Sequence, residues 1–185
     1  MISGMPENAF GAMRPECIAI VDEVLQNVRK LSQVLRPVIL DDFGLDSALH
    51  WLCERFQQRT QIEVIYSSNF NQRLAETEET HLFRIAQEAL TNIARHSEAT
   101  RAWVSLEVIG NSVRLEIADN GRGLRAGTGD KSPSLGMVGM RARARQLGGG
   151  LIVENRKEGG LRVHVEVPLK QAERNAEHED SSFVG

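Results

Sequence analysis

Apolar residues recur along this chain with two periods, and the changes of period mark its elements. From 15 to 35, Ile18, Val21, Leu25, Val28, Ser32 and Leu35 repeat in steps of three and four, with Val24 and Leu31 widening the stripe. That pattern predicts a helix whose apolar face needs a partner. It ends near Arg36-Pro37, since the residue before a proline resists helical angles. Leu45, Leu49, Leu52 and Phe56 predict a second helix over 45–59, with Asp46 near its start favouring the dipole. A short β-branched run predicts a strand over 61–67. A long helix follows over 77–97, with Leu82, Ile85, Ala86, Ala89, Leu90 and Ile93 on its buried face. The period then drops to two. Strands over 102–109 and 112–119 flank Gly110-Asn111, a two-residue hairpin turn. A last helix runs from Ser134 to the Gly148-Gly149-Gly150 stop, and strands over 151–155 and 161–169 close the pattern around a Glu158-Gly159-Gly160 turn. Helices and strands mix without strict alternation. The expected fold is therefore α+β: a two-layer α/β sandwich with helices on one face of a mixed, mainly antiparallel sheet, preceded by an N-terminal helix.

Some polar residues do not fit a purely structural account. Glu88, Asn92 and His96 fall at i, i+4 and i+8, a single stripe bordering the apolar face of the long helix. Such a stripe suits either a solvated helix edge or the wall of a site. His96 alone would suit a helix end beside the dipole. Asp119 is less ambiguous. By the alternation of Val113, Leu115 and Ile117 it points inward, and a buried carboxylate needs a partner. No basic residue lies beside it; Asn120-Gly121-Arg122-Gly123 follows, which is good turn chemistry and also lets a ligand approach the backbone. Gly136 and Gly139 then open the last helix, where free N–H groups and the dipole attract phosphate. Arg141, Arg143 and Arg145 in that helix read as a solvated face.

Composition changes the picture little. The chain has 185 residues, 41% hydrophobic and 25% charged, with a formal charge of −3. That balance gives no reason to expect nucleic acid or an anionic membrane surface as partner. Cys17 and Cys53 form no metal-binding pattern and suggest reduced thiols in a cytosolic setting. No apolar run is long enough to cross a bilayer and no signal peptide is evident, so a cytoplasmic fragment is expected, with a parent protein that could be anchored in the inner membrane.

Taken together, Glu88-xxx-Asn92-xx-Arg95-His96, Asp119-x-Gly121-x-Gly123 and Leu135-Gly136-xx-Gly139-Met140 resemble the ATP-binding domain of bacterial two-component sensor histidine kinases. Order and spacing are similar to the N box and the two glycine boxes of the gyrase/Hsp90/histidine-kinase/MutL superfamily, and the Gly-Met-x-Gly-Met form resembles the nitrate-sensor-like subfamily. The resemblance implies the Bergerat-type ATP-binding fold, with ATP and Mg²⁺ as ligands. It implies that Asp119 accepts a hydrogen bond from the adenine amino group and that Asn92 is the metal ligand. It gives Glu88 the position that activates water in the ATPase relatives, with orientation of metal-bound water implied in kinases. It sets Arg95 and His96 facing the phosphates or ribose, Gly121 and Gly123 beside the nucleotide, and Gly136 and Gly139 at the lid hinge and phosphate cradle. The aperiodic stretch between Gly121 and Ser134 becomes a short ATP lid. Leu161 departs from the pattern, since many relatives have threonine there; one hydrogen bond to adenine, worth roughly 0.5–1.5 kcal/mol, would be missing.

The resemblance also divides the chain: 1–14 a flexible terminus, 15–44 the second helix and exit segment of a dimerisation and phosphotransfer domain, 45–170 the ATP-binding domain, and 171–185 a disordered tail. None of His50, His81, His96, His164 or His178 fits the phospho-accepting position, so the chain is not expected to autophosphorylate. The implied partners are the parent kinase's dimerisation domain, a response regulator, and a second copy in the full-length protein. A nucleotide- or partner-binding regulatory module without phosphotransfer is the alternative. An anti-sigma-type serine kinase would lack the first helix, and a gyrase-like ATPase would need a transducer domain.

Overall fold

The structure is a computed structural model in which residues 38–124 and 135–169 are described. The expected first helix, residues 125–134 of the expected lid between Gly121 and Ser134, and the expected tail lie outside the described residues. The chain divides into two units, Met1–Val38 and Ile39–Gly185, and only the second is described below.

Helix α1 (Val38–Thr60) begins before the expected start, with a break at Gly44 (φ 76°, ψ −178°) that separates a short first piece from the amphipathic stretch. Leu40 in that first piece is fully buried, as are Leu45, Ala48 and Leu49 beyond the break. Arg73 makes the break tolerable. Its Nη2 donates to the carbonyl of Leu40 at 3.0 Å and its Nη1 to that of Asp41 at 3.4 Å, satisfying the end of the first piece. The same guanidinium grips Glu79 with a two-pronged pair at 2.8 and 3.0 Å.

Strand β1 (Glu63–Ser68) leads to helix α2 (Glu76–Asn92). Three glutamates in the first turn of α2 suit the dipole, and Glu78 accepts the amide hydrogen of Ala75 at 3.3 Å. All six apolar residues expected inside are buried. The helix does not stay α-helical to its end: Ile93–Ser97 forms a π turn, closed by Glu98 in the left-handed region at φ 57°. Strands β2 (Arg101–Ile109) and β3 (Ser112–Asp119) form the expected hairpin, with Ile109 opposite Ser112 and Gly110 at φ 59°. Helix α3 (Leu135–Gln146) stops where Gly148, at φ 73°, lets its own amide reach Arg145 and that of Gly149 reach Ala144, both at 3.0 Å. This is a Schellman cap. Strands β4 (Gly150–Asn155) and β5 (Leu161–Pro168) complete the sheet.

The sheet order is β1-β2-β3-β5-β4, with β1 parallel to β2 and every other pair antiparallel. One face is apolar: Ala102, Val104, Leu106, Val113, Leu115, Ile117, Val165 and Val167 pack under the helices with Leu82, Ile85, Phe83, Met140 and Cys53. The other carries Arg114–Glu166 and Arg162–Glu116 pairs and leaves Ile65 and Ile152 exposed. The expected two-layer α+β sandwich, with helices on one face of a mixed sheet, is the observed architecture. It places the end of α2, the end of β3 and the β4–β5 turn at one edge.

Candidate nucleotide site

Asp119 closes β3 with its side chain on the core side, and the residue is 2% exposed. Its partners are main-chain groups. The Gly121 amide donates to Oδ1 at 2.7 Å, and the Leu161 amide also points at the carboxylate. Burial lifts this carboxyl above the ordinary carboxylate value, while the two amides and the charge of Arg156 pull the other way without cancelling it. A carboxylate held by main-chain donors at the end of an apolar face is a fixed acceptor suited to a ligand amine.

The turn after Asp119 is sewn to the π turn that ends α2. The Arg122 amide donates to the Ser97 carbonyl at 2.9 Å, and the Arg122 guanidinium pairs with Glu98, also at 2.9 Å. A side chain at Gly121 would collide with the Ser97 carbonyl, so glycine is required there for close approach. Asn120 accepts the amide hydrogens of Thr100 and Arg101 at 3.0 and 2.9 Å, which locks the same turn to the start of β2. On the far side, Asn155 exchanges two hydrogen bonds with the main chain of Leu124, at 2.7 and 2.9 Å. Gly123, at φ 65°, fits beneath it. Sequence reasoning did not single out Asn120, Asn155 or Ser97. Asn120 had a visible signal in the Asp-Asn-Gly turn; Asn155 had none, since its partner is 31 residues away.

Glu88 and Gly136 meet. The Glu88 Oε1 occupies the space where a side chain at Gly136 would project, so the first turn of α3 rests on the α2 carboxylate. An anion at that helix start is favoured by the dipole. Gly139 has a looser neighbour, the flexible Arg143 guanidinium. Arg143 itself is half-buried, unlike the fully solvated residue expected, and its charge together with burial lowers the proton affinity of His81 and Arg84 on α2; burial is the larger cause.

The polar stripe is only partly as expected. Glu88 and Asn92 are half-buried, whereas Arg95 and His96 are exposed. The π turn is the reason: it adds width to the last turn, and His96 no longer repeats the Glu88–Asn92 spacing along a straight α-helix. The structure thus joins Asp119, Gly121 and Gly123 in one turn and Glu88 with Gly136 in another contact, while Arg95 and His96 face solvent.

Among known proteins, the chain is 35% identical over 151 residues to the oxygen sensor histidine kinase NreB of Staphylococcus carnosus. The alignment covers 81% of this chain and 44% of NreB, so the chain spans less than half the length of this curated relative. The histidine kinase domain of the Erythrobacter litoralis EL346 blue-light activated histidine kinase has the same fold, with a TM-score of 0.58 at 22% identity over 68% of this chain and 61% of that one. Full-length ShkA in complex with AMPPNP has a TM-score of 0.59 at 20% identity over 69% of this chain and 30% of that one. Residues 77–171 carry the turns and contacts described above, and over that span the chain belongs to the family of histidine kinase-, DNA gyrase B- and HSP90-like ATPases.

Proposed function

We propose that this chain is the ATP-binding catalytic domain of a sensor histidine kinase, presenting a nucleotide to a histidine on a dimerisation and phosphotransfer domain. The observation that carries this reading is Asp119, a buried carboxylate fixed by main-chain amides, with no side-chain base at hydrogen-bond distance of it among the described residues. Its acceptor oxygens fit the exocyclic amine of adenine. Asn92, half-buried on the same helix as Glu88, offers an amide oxygen of the hard type that suits Mg²⁺. ATP with Mg²⁺ would supply the transferable γ-phosphoryl group. The chain's own part would be to bind and orient: Asp119 would fix the base, and Asn92 would hold the metal with the Glu88 carboxylate one helical turn away. Arg95 and His96, exposed at the π turn, are free to reach phosphate or ribose oxygens. Gly121 and Gly123 keep the base side uncrowded, while Gly136 and Gly139 start the helix at the phosphate side. The acceptor histidine, and the response regulator that would receive the phosphoryl group, belong to other domains. Residues 15–44 are proposed as the end of the dimerisation domain and 45–170 as the catalytic domain. ShkA, of the same fold, holds AMPPNP, which supports a nucleotide as the ligand. Among the described residues no helix is long and apolar enough to cross a membrane.

Calorimetry with ATP and Mg²⁺ tests the reading. The chain is expected to bind, and Asp119→Ala is expected to lose roughly ten- to a hundredfold in affinity. Addition of a separate dimerisation domain carrying its histidine should then yield a phosphohistidine product. No binding by the unmodified chain would sink the reading.

A further inference from the structure

Arg156 touches the main chain of Asp119 and is only loosely paired with an acid. Its side chain is 16% exposed, and its ion pair with Glu158 is long, at 4.0 Å, and made to a carboxylate that is itself 72% exposed. The guanidinium instead sits 4.4 Å from the centroid of the Trp103 ring and donates from Nη1 to the main-chain carbonyl of Asp119 at 2.8 Å. Its Nε is buried without a hydrogen-bond partner. Stripping water from a guanidinium to satisfy one carbonyl and one ring is a costly way to pin a hairpin. Two other cations near the turn are paired at contact distance, Arg122 with Glu98 at 2.9 Å and Arg101 with Glu63 at 2.7 Å.

The backbone around Arg156 is built to hold it there. Its amide donates to Gly160 at 3.0 Å and its carbonyl accepts from Gly159 at 3.2 Å. Gly159 and Gly160 take φ of 96° and 90°, which folds the turn back over the end of β3. A side chain at Gly160 would strike the Asp119 carbonyl. Trp103 pairs with Ala118, so its ring lies on the solvent-facing side of the sheet, one residue from Asp119.

We propose that Arg156 is a positioning residue for Asp119: clamped on Trp103, it ties down the main chain of Asp119 from the open side of the sheet and keeps a weakly paired positive charge beside the carboxylate. The carboxylate is thereby held ionised and aimed for an amine donor, and the ring protects the cation from solvent. This rests on the reading of Asp119 as the group that recognises the nucleotide base, but part of its test does not.

That part is a carbon-13 NMR titration of the Asp119 carboxyl without nucleotide, assigned with Asp119→Asn. In Arg156→Met the midpoint is expected to move to higher pH, and in Arg156→Lys to return towards the starting value. Trp103→Leu, which exposes the cation to solvent, is expected to move it in the same direction as Arg156→Met, and it decides the matter if Arg156→Met does not fold. A hairpin pin alone would lower stability and leave the midpoint in place, and that outcome overturns the proposal. In calorimetry, Arg156→Met is expected to weaken Mg²⁺-ATP binding roughly three- to tenfold, most at acid pH. If Asp119→Asn binds ATP like the unmodified chain, the base-recognition reading fails, while the titration still decides whether Arg156 acts on Asp119.

Discussion

At Asp119 the needs of binding and of folding pull in opposite directions. Because burial raises its folded proton affinity above the ordinary value of 3.8, the folded state binds a proton more readily than the unfolded one. By linkage, its favourable contribution is complete below that ordinary value and is lost as pH rises through the raised folded value. At neutral pH the ionised carboxylate is therefore a net cost to the fold. Asp119→Asn keeps an oxygen for the Gly121 amide and removes the charge. It is expected to melt about 2–4 °C higher than the unmodified protein at pH 7, with the gap closing towards pH 3.5, while nucleotide affinity falls. Thermal melts across that pH range would show it; a variant less stable at pH 7 would mean that the amides overcome the burial. Leu161 belongs to the same small neighbourhood. It supplies its amide to the carboxylate, although its side chain lacks the hydroxyl that the family resemblance led us to expect.

Among the elements, α1 and α2 are locked through Arg73 and Glu79 more than their apolar patterns suggest. Glu79 is fully buried, whereas Arg73 is about half exposed. Arg73→Ala strands a buried carboxylate, while Glu79→Gln leaves a guanidinium free to turn into water. Arg73→Ala is therefore expected to have the lower urea midpoint of the two, and equal midpoints would show that Glu79 is released on loss of its partner. This lock also explains what the sequence left unread. Pro37 and Gly44 lie close together and both look like breaks, so Leu40 gave no helical signal; the group that satisfies its carbonyl lies 33 residues away. The hairpin of β2 and β3, the interior face of α2 and the Schellman stop of α3 were legible because each depends on local spacing or local glycine chemistry. The π turn was not. Ile93-Ala94-Arg95-His96-Ser97 suits an α-helix as well as the wider turn, whose end is held by Glu98 in the left-handed region and by the long-range bond from Arg122 to Ser97. Hence Asp119, Gly121 and Glu88 were visible as chemistry in the sequence, while Asn155 and Arg156, set by pairings across the sheet, were not.

Across the whole domain, three helices among the described residues share one core with one face of the sheet, so the nucleotide side and the core are not independent. Met140 is fully buried where α3 meets α2, and it secures the helix whose first turn rests on Glu88. Met140→Ala is expected to cost about 2–4 kcal/mol in urea unfolding and to weaken nucleotide binding as well. Lost stability with unchanged affinity would separate the two. The same core holds Cys53, 3% exposed, with a thiol that burial, helped by Glu54, pushes up to about 12. Such a sulfur stays protonated at neutral pH and offers almost no nucleophilic thiolate until water reaches it. In a Cys17→Ser background, the rate of alkylation at Cys53 becomes a clock for the opening of the packed layer itself. Slowing of that clock by added nucleotide would measure, without any partner domain, how much of the binding energy is felt by the core.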